Sequence, residues 1–117
     1  MDMHVERRRA ERDRRQDWRA PIVCAVRNTV LGQLHLSQSE DIGPGGITLR
    51  RPSDLPVLPF TPVSLSFDLP GTHRKIDVDG LVVSDRRCGS FRRTGVRFVH
   101  PSSDQVALLS EFCLRRP

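Results

Sequence analysis

The sequence predicts a small, mostly β domain, a barrel or sandwich closed by one C-terminal helix. Three observations carry this expectation. From Ala20 onward, short apolar runs alternate with turn residues at the spacing of a small all-β fold. The stretch Val63-Ser64-Leu65-Ser66-Phe67-Asp68-Leu69 sets four apolar residues against three polar ones in strict alternation, as a half-buried antiparallel strand requires. Near the end, Ser102 followed three residues later by Gln105 forms a capping-box pattern, and Val106, Leu109, Phe112 and Cys113 then fall at helical spacing.

Taken in order, Ile22 to Val26 is the first β-like run, broken by Arg27-Asn28. Leu34, Leu36 and Ile42 belong to a second run that enters a glycine-rich turn, and Ile47 and Leu49 emerge from it. Pro52, Pro56, Pro59 and Pro62 argue against a central strand in the segment that follows, because proline cannot donate to a ladder. Lys75 to Val83 starts with alternation and becomes continuously apolar at Leu81-Val82-Val83. Arg86-Arg87-Cys88-Gly89 reads as a turn, after which Val96-Arg97-Phe98 resumes the pattern. The terminal helix is expected to cover an open end or edge of the sheet.

Residues 1–19 have a different texture. They hold seven arginines and five acids, with only Met1, Met3, Val5, Ala10 and Trp18 apolar, which supplies no core face. This arm is predicted to be mobile until something anionic orders it, leaving 20–117 as the globular unit. At 117 residues the chain is a single domain with one modest core. Its net charge of +5 comes almost entirely from arginine, Lys75 being the only lysine. That balance fits an anionic partner, and equally the codon usage of a GC-rich genome.

Composition also excludes. Cys24, Cys88 and Cys113 are an odd set with no C-x-x-C pair, so neither a disulfide framework nor a zinc knuckle is indicated, and a reducing cytoplasm fits. No apolar run approaches a bilayer span and the N-terminus lacks a leader pattern, so the chain is read as cytosolic. His4, His35, His73 and His100 are scattered without metal-ligand spacing. No Gly-Lys-Ser/Thr follows Gly43 to Gly46, so the turn is no P-loop. No serine sits in a nucleophile elbow, and Cys24 reads as a core residue, so no catalytic group and no cofactor is expected.

Two segments carry the chemistry. Arg14-Arg15-Gln16-Asp17-Trp18-Arg19 ends directly before the first apolar strand, and Asp41-Ile42-Gly43-Pro44-Gly45-Gly46 arrives one hairpin later. In this order and spacing they resemble the signature of the PilZ family, small bacterial domains that bind the second messenger cyclic di-GMP through an R-x-x-x-R run and a following [DN]-x-S-x-x-G turn. Gly80-Leu81-Val82-Val83 and Gly95-Val96-Arg97-Phe98 resemble the family's closing strands, so the likeness extends from Arg14 to Leu114. It implies a six-stranded antiparallel β-barrel of the split-barrel type with a C-terminal helix. It also implies a ligand site built from Arg14, Arg15, Arg19, Asp41, Gly43, Gly45 and Gly46. One letter departs from the pattern: Gly43 stands where the family has serine.

Each residue type suits that ligand. Arginine's planar fork can donate twice to guanine O6 and N7, chelate phosphate oxygens, or stack on a purine. Arg15 and Arg19 supply the pair. In the family, a basic residue directly before the run goes with binding an intercalated ligand dimer, which assigns that role to Arg14. Asp41, when ionised, accepts N–H donors from the Watson–Crick edge of guanine. Gly45 and Gly46 lack a Cβ and let a ligand approach the backbone. The absent serine removes one neutral hydrogen bond, about 0.5–1.5 kcal/mol, which weakens binding without abolishing it. Trp18 is expected to pack on the barrel, with stacking on the ligand as its alternative.

The expected function is therefore a cyclic di-GMP receptor that orders its arginine arm on binding and signals to a downstream protein. One alternative is an adaptor of the same fold that has lost the nucleotide and acts by protein contact. A second is a basic nucleic-acid module, suggested by a pI near 10.4 but opposed by the absence of tyrosine and of aromatics interleaved with the basic residues.

Overall fold

The computed structural model describes residues 19–115. Six strands close into an antiparallel barrel: β1 (Ala25–Val30), β2 (Gln33–Ile42), β3 (Gly46–Arg51), β4 (Pro62–Asp68), β5 (Lys75–Cys88) and β6 (Phe91–Val99). The order around the barrel is β1-β2-β3-β6-β5-β4, with β1 hydrogen-bonded back to β4. Closure leaves no free edge, so the one helix among the described residues, α1 (Ser103–Leu114), covers an end of the barrel.

The alternation seen in Val63 to Leu69 places Val63, Leu65, Phe67 and Leu69 inside. Ile76 and Val78 from β5, Ile47 and Leu49 from β3, and Val96 and Phe98 from β6 meet them in one core. Helix α1 adds Leu109, Phe112 and Cys113. Its start is the expected capping box: the Gln105 amide donates to Ser102 Oγ at 3.1 Å and the Ser102 amide to Gln105 Oε1 at 3.0 Å. The Gln105 side-chain amide also donates to the Asp77 carbonyl at 2.7 Å, fastening the helix start to β5.

Two readings of the sequence need correction. Arg27-Asn28 does not break the first run, because β1 passes through both: Asn28 points inward, 1% exposed, and its Oδ1 accepts from Ser37 Oγ at 2.9 Å. A buried amide with its own partner sits in a strand without penalty. Leu34 and Leu36 lie in β2, as expected, and face outward, while Ser37, Ser39 and Ile42 take the inner positions. The turn placed at Arg86-Arg87-Cys88-Gly89 comes later, since β5 runs on to Cys88 and only Gly89-Ser90 connect it to β6. Gly89 takes φ 64 there, the left-handed conformation that a two-residue hairpin loop demands.

Two irregularities aim side chains. In β2 the pairing with β3 shifts between Ser39 and Asp41, so Glu40 bulges. In β5 the pairing with β6 shifts between Val82 and Ser84, leaving Val82 buried and Val83 on the surface. The loop from 52 to 61 holds no strand, as its prolines require.

A buried polar cluster on β3, β5 and β6 fixes that loop. Asp85 accepts from Thr94 Oγ1 (2.6 Å), Arg92 Nε (2.8 Å), Arg51 Nη2 (3.0 Å) and the Val57 amide (3.0 Å). Arg51 also donates to Thr94 Oγ1 and to the Leu55 carbonyl. Burial alone raises a carboxyl pKa, but the hydrogen bonds from Thr94, Val57, Arg51 and Arg92 prevail and hold Asp85 at about 2.

Candidate ligand site at Arg19 and the Gly43–Gly46 turn

The chain reaches the barrel at Arg19. Ala20 forms an isolated antiparallel bridge with Ile42, each amide donating to the other's carbonyl at 2.9 and 3.0 Å, which lays Arg19 alongside the end of β2. The bulge at Glu40 leaves Asp41 opposite Thr48 of β3. Arg19 Nη1 then donates to both, 3.2 Å to Asp41 Oδ1 and 2.8 Å to Thr48 Oγ1. Arg19 and Asp41 remain about one-third exposed, so each keeps hydrogen-bonding capacity toward solvent.

The glycine turn sits directly beside this pair. The Gly43 amide donates to the Gly46 carbonyl at 2.9 Å, and the Gly45 carbonyl accepts from the Phe98 amide at 2.9 Å. Gly43 and Pro44 are buried while Gly45 is partly exposed. Gly46 has a role the sequence did not disclose. A Cβ there would collide with the Val96 carbonyl oxygen and stand 2.7 Å from Arg19 Nη2, so the missing side chain makes room for the guanidinium.

A cleft of about 400 Å³ opens from the turn toward the helix, lined by Arg19, Pro44, Gly45, Arg97, Phe98 and Val106. Gly46 pairs with Arg97 across β3 and β6, which brings a second guanidinium to the same opening. Arg97 has no hydrogen bond or ion pair from its side chain among the described residues. Its neighbours on this face are committed elsewhere. Arg93 makes a two-point contact with Glu40 at 2.7 and 3.2 Å, and that pairing raises its pKa. Arg50 lies over the Phe91 ring at 3.9 Å.

Of the residues singled out in the sequence, the structure brings Arg19, Asp41, Gly43, Gly45 and Gly46 together. Arg14, Arg15 and Trp18 lie outside the described residues. Thr48 and Arg97 were missed. Thr48 carries a weak signal, a polar residue two places after the turn, whereas Arg97 depends on strand pairing that no local pattern reveals. No group of His, Cys, Asp and Glu able to hold a metal occurs among the described residues.

Residues 6–115 match the model of the PilZ domain, and the chain belongs to that family of non-catalytic receptor and effector modules. Its fold is similar to solved structures of low sequence identity. The Bacillus subtilis inhibitor of motility MotI/DgrA superposes with a TM-score of 0.75 at 19% identity, over 83% of this chain and 48% of that one. This chain thus spans about half the length of that protein. The PilZ domain of Escherichia coli YcgR, solved with c-di-GMP, gives 0.68 at 13% identity over 83% of this chain and 86% of that one. Borreliella burgdorferi PlzA, also solved with c-di-GMP, gives 0.59 at 7% identity over 92% and 54%. None of the curated proteins is similar enough to match. No helix among the described residues is long and apolar enough to cross a membrane.

Proposed function

We propose that the chain is a cytoplasmic cyclic di-GMP receptor whose ligand binds over the Gly43–Gly46 turn. The observation that carries this reading is the docking of Arg19 onto Asp41 and Thr48, beside a cleft that Arg97 also faces. Two guanidinium groups at one opening, one of them paired with the Asp41 carboxylate, match a ligand with two anionic phosphodiesters and two guanine edges. Arg19 takes phosphate or the O6/N7 edge, Asp41 accepts guanine N–H donors, and Arg14 and Arg15 complete the clamp. Closing of residues 14–19 over the ligand presents a changed surface to a downstream protein.

Calorimetric titration of the full chain with cyclic di-GMP tests this. Saturable binding is expected, and its stoichiometry separates a single ligand from an intercalated dimer. A second reading, a PilZ-type adaptor without nucleotide, is favoured by glycine at position 43 and by the existing contact between Asp41 and Arg19. No heat at millimolar ligand with the fold intact would select it. A steep salt-dependent affinity for generic nucleic acid, without preference for the cyclic dinucleotide, would instead favour a nucleic-acid module.

A further inference from the structure

The loop between β3 and β4 exposes apolar side chains while its backbone is firmly held. Leu55, Leu58 and Phe60 are 70%, 76% and 74% exposed. Mobile surface loops shed backbone contacts, but this one is anchored at three points. The Leu55 carbonyl accepts from Arg51, the Val57 amide donates to Asp85 at 3.0 Å, and the Phe60 amide donates to the Val82 carbonyl at 2.6 Å. Its prolines further limit the conformations open to it.

Phe60 is the telling residue. The Thr61 amide and hydroxyl both bond the Leu58 carbonyl, closing a turn with Pro59 and Phe60 at its centre. Phe60 has φ 68, the position where such a turn calls for glycine or asparagine. An aromatic ring there meets backbone strain and gains no burial in return. Neither folding nor solubility explains phenylalanine at this site, whereas contact with another surface does.

The charges around the loop indicate the occupant. Asp54 and Arg87 are 84% and 68% exposed and only loosely paired at 3.9 Å; Arg87 Nε donates to the Gly89 carbonyl at 3.3 Å, which leaves its terminal nitrogens and the Asp54 carboxylate able to engage elsewhere. A patch carrying its own acid and its own base is self-complementary, which is the requirement of a two-fold interface. We propose that this loop is the contact surface for a second copy of the chain, with Leu58 and Phe60 packing across the axis and Arg87 of each copy meeting Asp54 of the other. The inference does not depend on the ligand reading.

Sedimentation equilibrium of the full chain over a range of concentrations, without cyclic di-GMP, tests it. A reversible dimer is expected, weakened at least about tenfold by Leu58→Asp, as for a buried interface anchor. Phe60→Gly supplies an independent arm, since it relieves the turn while removing the ring. Its thermal midpoint in dilute solution is expected to equal or exceed wild type, with self-association weakened to a similar degree. A monomer at every concentration overturns the proposal, including the case where a different protein covers the loop. A dimer that persists in either variant also overturns it.

Discussion

Gly46 and Arg19 share one space: a Cβ on the first would stand 2.7 Å from Nη2 of the second. The same Cβ would meet the Val96 carbonyl, which belongs to the β6 backbone and has little freedom to move. Gly46→Ala is therefore expected to cost about 1–3 kcal/mol of stability, read by chemical denaturation. It should also displace Arg19 and lower cyclic di-GMP affinity. A variant as stable as wild type would show that the strand pair gives way easily.

Arg19→Ala and Arg15→Ala are expected to remove ligand binding, a fall of about a hundredfold or more for loss of charge-assisted hydrogen bonds. Calorimetry on each variant checks this, and unchanged affinity would refute the site. Gly43→Ser should work in the opposite direction. Gly43 does not have a positive φ, so serine suits the backbone, and one added hydroxyl contact is worth up to about tenfold in affinity.

The Asp85 cluster gives a pH prediction. A carboxyl held at about 2 in the folded chain, against an ordinary 3.8, contributes stability above the ordinary value and loses it as pH falls through the lower one. The contribution is about 2 kcal/mol, expected in full near neutrality and lost between about pH 4 and 2. Asp85→Asn should flatten that part of the stability profile. It should also cost about 3–5 kcal/mol at neutral pH, because Arg51, with a side chain 6% exposed, loses its counter-charge. Denaturation midpoints measured across pH for both proteins provide the comparison.

Ser102→Ala is expected to destabilise the fold by about 1 kcal/mol through loss of the cap on α1. Helix α1 buries Leu109, Phe112 and Cys113 in the common core, so the loss should appear in global unfolding as well as in helical signal. Thermal melts followed by circular dichroism in the far and the near ultraviolet would register whether the two move together.

The strands and the helix were legible because their signals are local, whereas closure into a six-stranded barrel rather than a sandwich came through the family resemblance. Alternation in β4 and the pairing of Ser102 with Gln105 need only a few neighbouring residues. Asn28 misled because its polarity suggested a break, while its partner Ser37 lies across a hairpin. Leu34 and Leu36 were rightly placed on the second strand, but an apolar residue on a strand does not state which face it occupies. The bulge at Glu40 and the length of β5 depend on strand register, which adjacent letters do not encode. At the candidate site, Asp41 and the glycines were readable as a motif. Thr48 and Arg97 became visible only once β3 was paired with β2 and β6.

The Ile42 carbonyl accepts from both the Ala20 amide and the Cys113 thiol, at 2.9 and 3.1 Å. The incoming segment and the closing helix are thus pinned to one peptide group, adjacent to Asp41. Any tether or fused partner grafted upstream of Ala20 or downstream of Cys113 would begin its path from the same side of the molecule. Distance reporters planted at those two junctions would start almost in register and give a sensitive gauge of their separation.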